Sequence, residues 1–174
     1  MLSIPKRVLL ALVVVLSLVS ALLSWAIQDP AREQVRAAFF GYLGDLRQGQ
    51  GASAARRILP EDLFHLKQGA LEKAGGEPEF RSRLQDFLGV RDAAELTAVP
   101  KERFFEFLML RTQEQHPHVK DVLSEGKVEG TGVNRTGNEA EMSASFALSV
   151  PEGRRSFSMR LHFTKVDDVW FLRL

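Results

Sequence analysis

The sequence predicts an α+β fold: an N-terminal transmembrane or signal helix, then several helices packed on a C-terminal antiparallel β-meander of about four strands. Three observations carry this expectation. Residues Val8 to Ile27 form an unbroken uncharged run of 20 residues. Between residues 30 and 115 apolar side chains recur at three- and four-residue spacing, the mark of helices buried on one face. After Pro117 the apolar period falls to two, the mark of strands.

The first run, VLLALVVVLSLVSALLSWAI, would rise about 30 Å as a helix, the thickness of a hydrocarbon core. Lys6 and Arg7 precede it and Gln28-Asp29 follow, so the positive-inside rule places the N-terminus in the cytoplasm and the rest outside. Residues 1–27 therefore read either as an uncleaved signal anchor or as a signal peptide cleaved near Ala26, with Ser24 and Ala26 as the small residues. Both readings export residues 28–174. No cysteine follows the run, which excludes a lipid-anchored lipoprotein. Without Lys6 and Arg7 the chain's charge of +1 becomes about −1.

Asp29-Pro30 is a helix start, an N-cap carboxylate followed by a proline that has no N–H to leave unpaired. Val35, Ala38, Phe39, Tyr42, Leu43 and Leu46 then define one apolar stripe over about 30–48. Gly49, Gly51 and Ser53 mark a turn, and a short helix over about 53–59 ends at Leu59-Pro60. Pro60 starts another short helix through Leu66, and Gly75-Gly76-Glu77-Pro78 is a breaker. Phe80, Leu84, Phe87 and Leu88 predict a helix over 78–88, and Ala93 to Leu96 a helical turn. Pro100 opens a Phe-rich helix over 100–115, which ends before His116-Pro117. The Phe-rich helices are the expected cover for the sheet.

The sheet is expected over about 119–174. A first strand over 119–134 holds Val122, Val128 and Val133 but keeps no single phase, so Gly130 and Gly132 are candidates for a bulge. Ala140, Met142, Ala144, Phe146 and Leu148 alternate with polar neighbours, and the parity flips to Phe157, Met159, Leu161 and Phe163. A hairpin at Glu152-Gly153 that pairs Val150 with Arg155 puts both apolar sets on one face, with Phe146 opposite Met159 and Met142 opposite Phe163. A second hairpin at Asp167-Asp168 sets Phe163 opposite Leu172 and Leu161 opposite Leu174.

This order resembles the nuclear-transport-factor-2-like superfamily, cone-shaped α+β domains whose curved sheet wraps around helices. The likeness rests on the first helix with Val35, Phe39, Tyr42 and Leu46, on the short helix from Ala54 to Leu59, and on the closing stretch Phe157 to Leu174 with Asp167-Asp168-Val169-Trp170-Phe171. A membrane segment followed by such a domain also resembles scaffold components of bacterial type IV secretion systems and actinobacterial proteins of lipid-import complexes. The superfamily holds enzymes, binders and scaffolds, so the resemblance implies a fold and leaves the activity open.

Balanced charge, 23 basic against 22 acidic residues, argues against a nucleic-acid partner. No phosphate-binding glycine loop or nucleophile elbow is present. No catalytic residue, metal ligand or cofactor is assigned. His116-Pro117-His118 has ligand-like spacing but lacks a third ligand, and reads as a polar helix-to-strand linker. His162 falls on the polar strand face. That face is the candidate interaction surface: Ser143, Ser145, Ser156, Ser158 and Thr164 are small, and Val169 and Phe171 share their side. Tyr42 and Trp170 are the candidate pocket residues.

The leading expectation is therefore a non-enzymatic, membrane-anchored domain of the bacterial envelope, anchored by residues 8–27, that pairs with itself or with an envelope protein. The alternative is a periplasmic small-molecule binder or cyclase-like enzyme with a pocket between sheet and helices.

Overall fold

A computed structural model describes residues 29–150 and 153–174. The apolar run 8–27 and the cleavage position near Ala26 lie outside them. Among the described residues no helix is long and apolar enough to cross a membrane. The chain divides into Met1–Glu33 and Gln34–Leu174. In the first unit Asp29 caps the helix start as expected, its carboxylate accepting the Ala31 N–H at 3.0 Å.

The second unit is α+β. The helix α1 spans Pro30–Arg47, and α2 (Gly51–Ala55) follows a turn that uses Gly49 at φ 70°. Then come α3 (Pro60–Gly76), α4 (Pro78–Leu88), α5 (Ala93–Ala98), α6 (Lys101–Gln115) and α7 (Pro117–Glu125). Four strands close the chain: β1 (Lys127–Thr136), β2 (Glu139–Val150), β3 (Gly153–Val166) and β4 (Val169–Arg173). They form one antiparallel meander in the order β1-β2-β3-β4.

Two elements differ from expectation. The helix expected to stop at Leu66 runs on to Gly76, because Ala70 and Ala74 continue its buried stripe. Residues 117–125, expected as the start of a strand, form α7. Pro117 takes the first turn, where its missing N–H costs nothing, and Val119, Val122 and Leu123 stand three and four apart. The strand begins only after Gly126.

The register follows parity. β2 pairs with β3 two residues away from the expected alignment: Phe146 opposes Phe157, Met142 opposes Leu161, and Val150 opposes Gly153. A shift of two keeps every side chain on its face, so the expected faces survive the error. The β3–β4 pairing is as expected, with Phe163 opposite Leu172, except that it ends at His162–Arg173. Leu174 does not pair with Leu161; its N–H donates to the Asp62 carboxylate at 2.9 Å. Asp167 and Asp168 both take positive φ, the geometry of a tight two-residue turn. The bulge in β1 lies between Val128 and Gly130.

The buried apolar residues fall into two groups. Phe80, Leu84, Leu96, Phe104 and Phe107, with Ala70 and Ala74, form a core made only of helices. α1 reaches the sheet through Phe39, whose ring meets Phe146 edge-on at 6.2 Å, and α7 packs beside it on β2. The Phe-rich α6 therefore serves the helical core, and only Phe105 turns toward α1, 6.4 Å from the Tyr42 ring. The outer edge of β4 is closed by residues 57–59: Leu172 N–H donates to Arg57 O and Leu59 N–H to Leu172 O, both at 2.8 Å.

Candidate functional site

The strand parity brings Ser143, Ser145, Ser156, Ser158, Thr164, Val169 and Phe171 onto one face, as expected. The face is more polar than the small-residue reading implies. Glu139, Glu141, Arg160, His162 and Arg173 share it. Thr164 donates to Glu139 at 2.9 Å, the Ser145 and Ser158 hydroxyls are 3.3 Å apart, and Arg160 pairs with Glu141 at 3.8 Å. Val169 is exposed, whereas Phe171 is half-buried and lines a surface cleft with Arg56 and Arg57. Val166 and Val169, 41% and 53% exposed, are its open apolar side chains.

Tyr42 and Trp170 are not brought together. Trp170 is buried at the α1 side of the Phe171 cleft. Tyr42 instead lines an apolar groove of about 440 Å³. Its floor comes from α1 (Phe39, Tyr42, Leu43, Leu46) and from Phe146 and Leu172 of the sheet. One wall is α7, with Val119, Val122 and Leu123, and the other is β3, with Phe157, Met159 and Leu161. Phe157 and Met159, on the apolar face of β3, are 38% and 46% exposed. Burial alone pushes the Tyr42 hydroxyl up to about 12.

The wall is fixed electrostatically. Arg47, at the end of α1, donates from Nε to Leu123 O at 2.8 Å and from Nη2 to Gly126 O. A cation on the last carbonyls of α7 completes groups that no helical N–H can reach and suits the helix dipole. The titratable side chains that line the groove are Tyr42, His118 and Arg173. Such a lining can desolvate apolar groups.

The histidines do not gather. His116 and His118 pack ring against ring with centroids 5.7 Å apart, and His65 sits 3.9 Å from Glu61 on α3. No cluster of three metal-ligating side chains occurs among the described residues. The residues missed from the sequence are those of α7. Their signal was present in the spacing of Val119, Val122 and Leu123, but Val122 also fits a strand.

No family model and no curated protein matches this chain. Among solved structures it is similar to an NTF-2-like protein of unknown function from Shewanella oneidensis MR-1, at 11% identity over 82% of this chain and 93% of that one, with a TM-score of 0.43. It is also similar to a protein of unknown function from Mycobacterium tuberculosis, at 13% identity over 86% of this chain and 73% of that one, with a TM-score of 0.42.

Proposed function

We propose that the chain is a non-enzymatic binding domain of the bacterial envelope, with a cone-shaped nuclear-transport-factor-2-like fold, held at the membrane by residues 8–27, and that its binding surface is the α1–α7–β3 groove. The single observation that carries this is the pairing of a nearly all-apolar lining with exposed Phe157 and Met159. Large apolar side chains left at a cavity mouth gain by being covered, at roughly 25 cal/mol per Å² removed from water. On the Ser/Thr face, by contrast, Thr164 bonds Glu139 and the Ser145 and Ser158 hydroxyls meet each other. A second reading, an apolar small-molecule binder, is favoured by the cavity volume, which falls within the range of ligand sites of about 300–1,000 Å³.

The test uses the full chain and an environment-sensitive apolar dye. Wild type should bind the dye, and Phe157→Asp and Met159→Asp should each abolish binding while the thermal midpoint stays within a few degrees, because both side chains are partly exposed. Phe171→Asp should leave dye binding intact. If Phe171→Asp removes binding and Met159→Asp does not, the groove is not the site. An apolar small molecule that co-purifies with wild type and not with Met159→Asp would select the second reading.

A further inference from the structure

Beside the groove runs a backbone edge with no partner among the described residues. β4 pairs with β3 only from His162 to Val166, so β3 from Gly153 to Leu161 is hydrogen-bonded on the β2 side alone. Strand alternation says which groups are open. Val166 and Val169 flank a two-residue turn and so exchange both of their backbone bonds; Thr164 and His162 likewise face β4. Lys165, between them, donates to Asn138 O on the opposite side at 2.7 Å. Continuing the alternation, the N–H and C=O groups of Arg154, Ser156, Ser158 and Arg160 point outward along the line that β4 would follow if it were longer. Ser158 belongs to the polar face yet also lines the groove, so the cavity reaches round to this edge.

We propose that this edge takes up an extended acidic segment of a partner protein as a fifth strand, antiparallel to β3 and in line with β4. The proposal rests on the groove reading above and names the occupant. Side chains of the incoming strand opposite Phe157 and Met159 enter the groove, and those between them share the face of Ser156 and Ser158. Acidic residues suit the latter row. Between Gly153 and Leu161 the strand carries Arg154, Arg155 and Arg160 and no carboxylate. Arg154 pairs with Glu129, and Arg160 lies 3.8 Å from Glu141, but both arginines are mostly exposed and each guanidinium has five donors, enough for a second carboxylate.

A second copy fits poorly. Antiparallel self-pairing that uses all four open residues sets Arg154 of each copy opposite Arg160 of the other, and like charges directly opposed destabilise a sheet. A long free edge with apolar alternation is otherwise an aggregation hazard, which arginines blunt while it is empty.

The probe is the capped peptide Glu-Val-Ser-Val-Ser-Val-Glu, whose glutamates would lie opposite Arg160 and Arg154. It is titrated into the full chain in lipid nanodiscs and followed by binding isotherm and by amide exchange. Binding should slow exchange at Ser156, Ser158 and Arg160. Methylating the two serine amides, which face β3, should weaken binding at least about tenfold, whereas methylating valine amides should change it less than about twofold. Arg160→Glu should weaken the parent peptide and restore tight binding to its lysine counterpart. Equal binding of both methylated peptides, with loss only in Met159→Asp, overturns the fifth strand and leaves the groove reading standing. Dye binding without peptide binding has the same meaning, and loss of both defeats both. Sedimentation as a dimer that the peptide does not dissociate also overturns the proposal, in favour of self-pairing.

Discussion

Tyr42 is the only tyrosine of the chain, so its ionisation can be read without interference. Its ring projects from α1 to within 6.4 Å of the Phe105 ring, and burial alone raises its hydroxyl from the ordinary 10.0 to about 12. Two units at 1.36 kcal/mol each make the neutral form about 3 kcal/mol more favoured in the folded state than in the unfolded chain. The sign follows from proton counts. Between pH 10 and 12 the unfolded chain has lost the tyrosine proton and the folded chain has kept it. Stability from this group is therefore complete below pH 10 and falls as pH rises toward 12. The assay is tyrosinate absorbance across alkaline pH, paired with urea unfolding of wild type and Tyr42→Phe. Wild type should titrate in one step near 12 and lose about 2 kcal/mol more than Tyr42→Phe over that interval. A midpoint at 10 in the folded protein, or parallel pH slopes for the two proteins, would refute the claim that the groove floor is desolvated.

Four further outcomes are expected. Phe163→Ala, at a side chain 1% exposed in the middle of the sheet, should cost about 3–5 kcal/mol in chemical denaturation. Asp92→Ala should cost about 1 kcal/mol, because the Asp92 carboxylate accepts the Glu95 N–H at 2.8 Å and caps α5; Asp92→Asn should recover most of it. Gly126→Ala should destabilise, since a Cβ there would meet the Val122 carbonyl oxygen at 2.4 Å. Gly41→Ala should cost less than Gly126→Ala, since its Cβ meets the end of the Arg57 side chain, which can shift only by disturbing its ion pair with Asp45. Thermal melts of the two alanine variants separate these cases.

Much of the architecture is legible in side-chain period. Pro78 to Leu88 matches its helix residue for residue, because a proline start and a glycine at φ 70° bracket an unambiguous apolar stripe. The strand faces were legible even where their register was not, since alternation encodes parity and says nothing about which even offset the turn selects. What failed was the stretch after Pro117, where Val122 and Val128 fit strand and helix alike and only packing against the sheet decides. The candidate site was half legible. Tyr42 stands on its stripe and lines the groove. Trp170 shares the face of Leu172 but stands two residues away along β4, at the Phe171 cleft, and no sequence pattern says which cavity a stretch of a face adjoins. Phe157 and Met159 looked like ordinary core, since period cannot show where the covering helix stops.

The β2–β3 alignment has a consequence for how such an arm can change over generations. Because sidedness repeats every second residue, the hairpin can lengthen or shorten by pairs without disturbing which side chains meet α1 and α7. A single inserted residue would invert everything beyond it, unless absorbed by a local kink of the kind between Val128 and Gly130 on β1. Variation in arm reach should therefore be quantised in twos on β2 and β3, while β1 carries the means of absorbing an odd step.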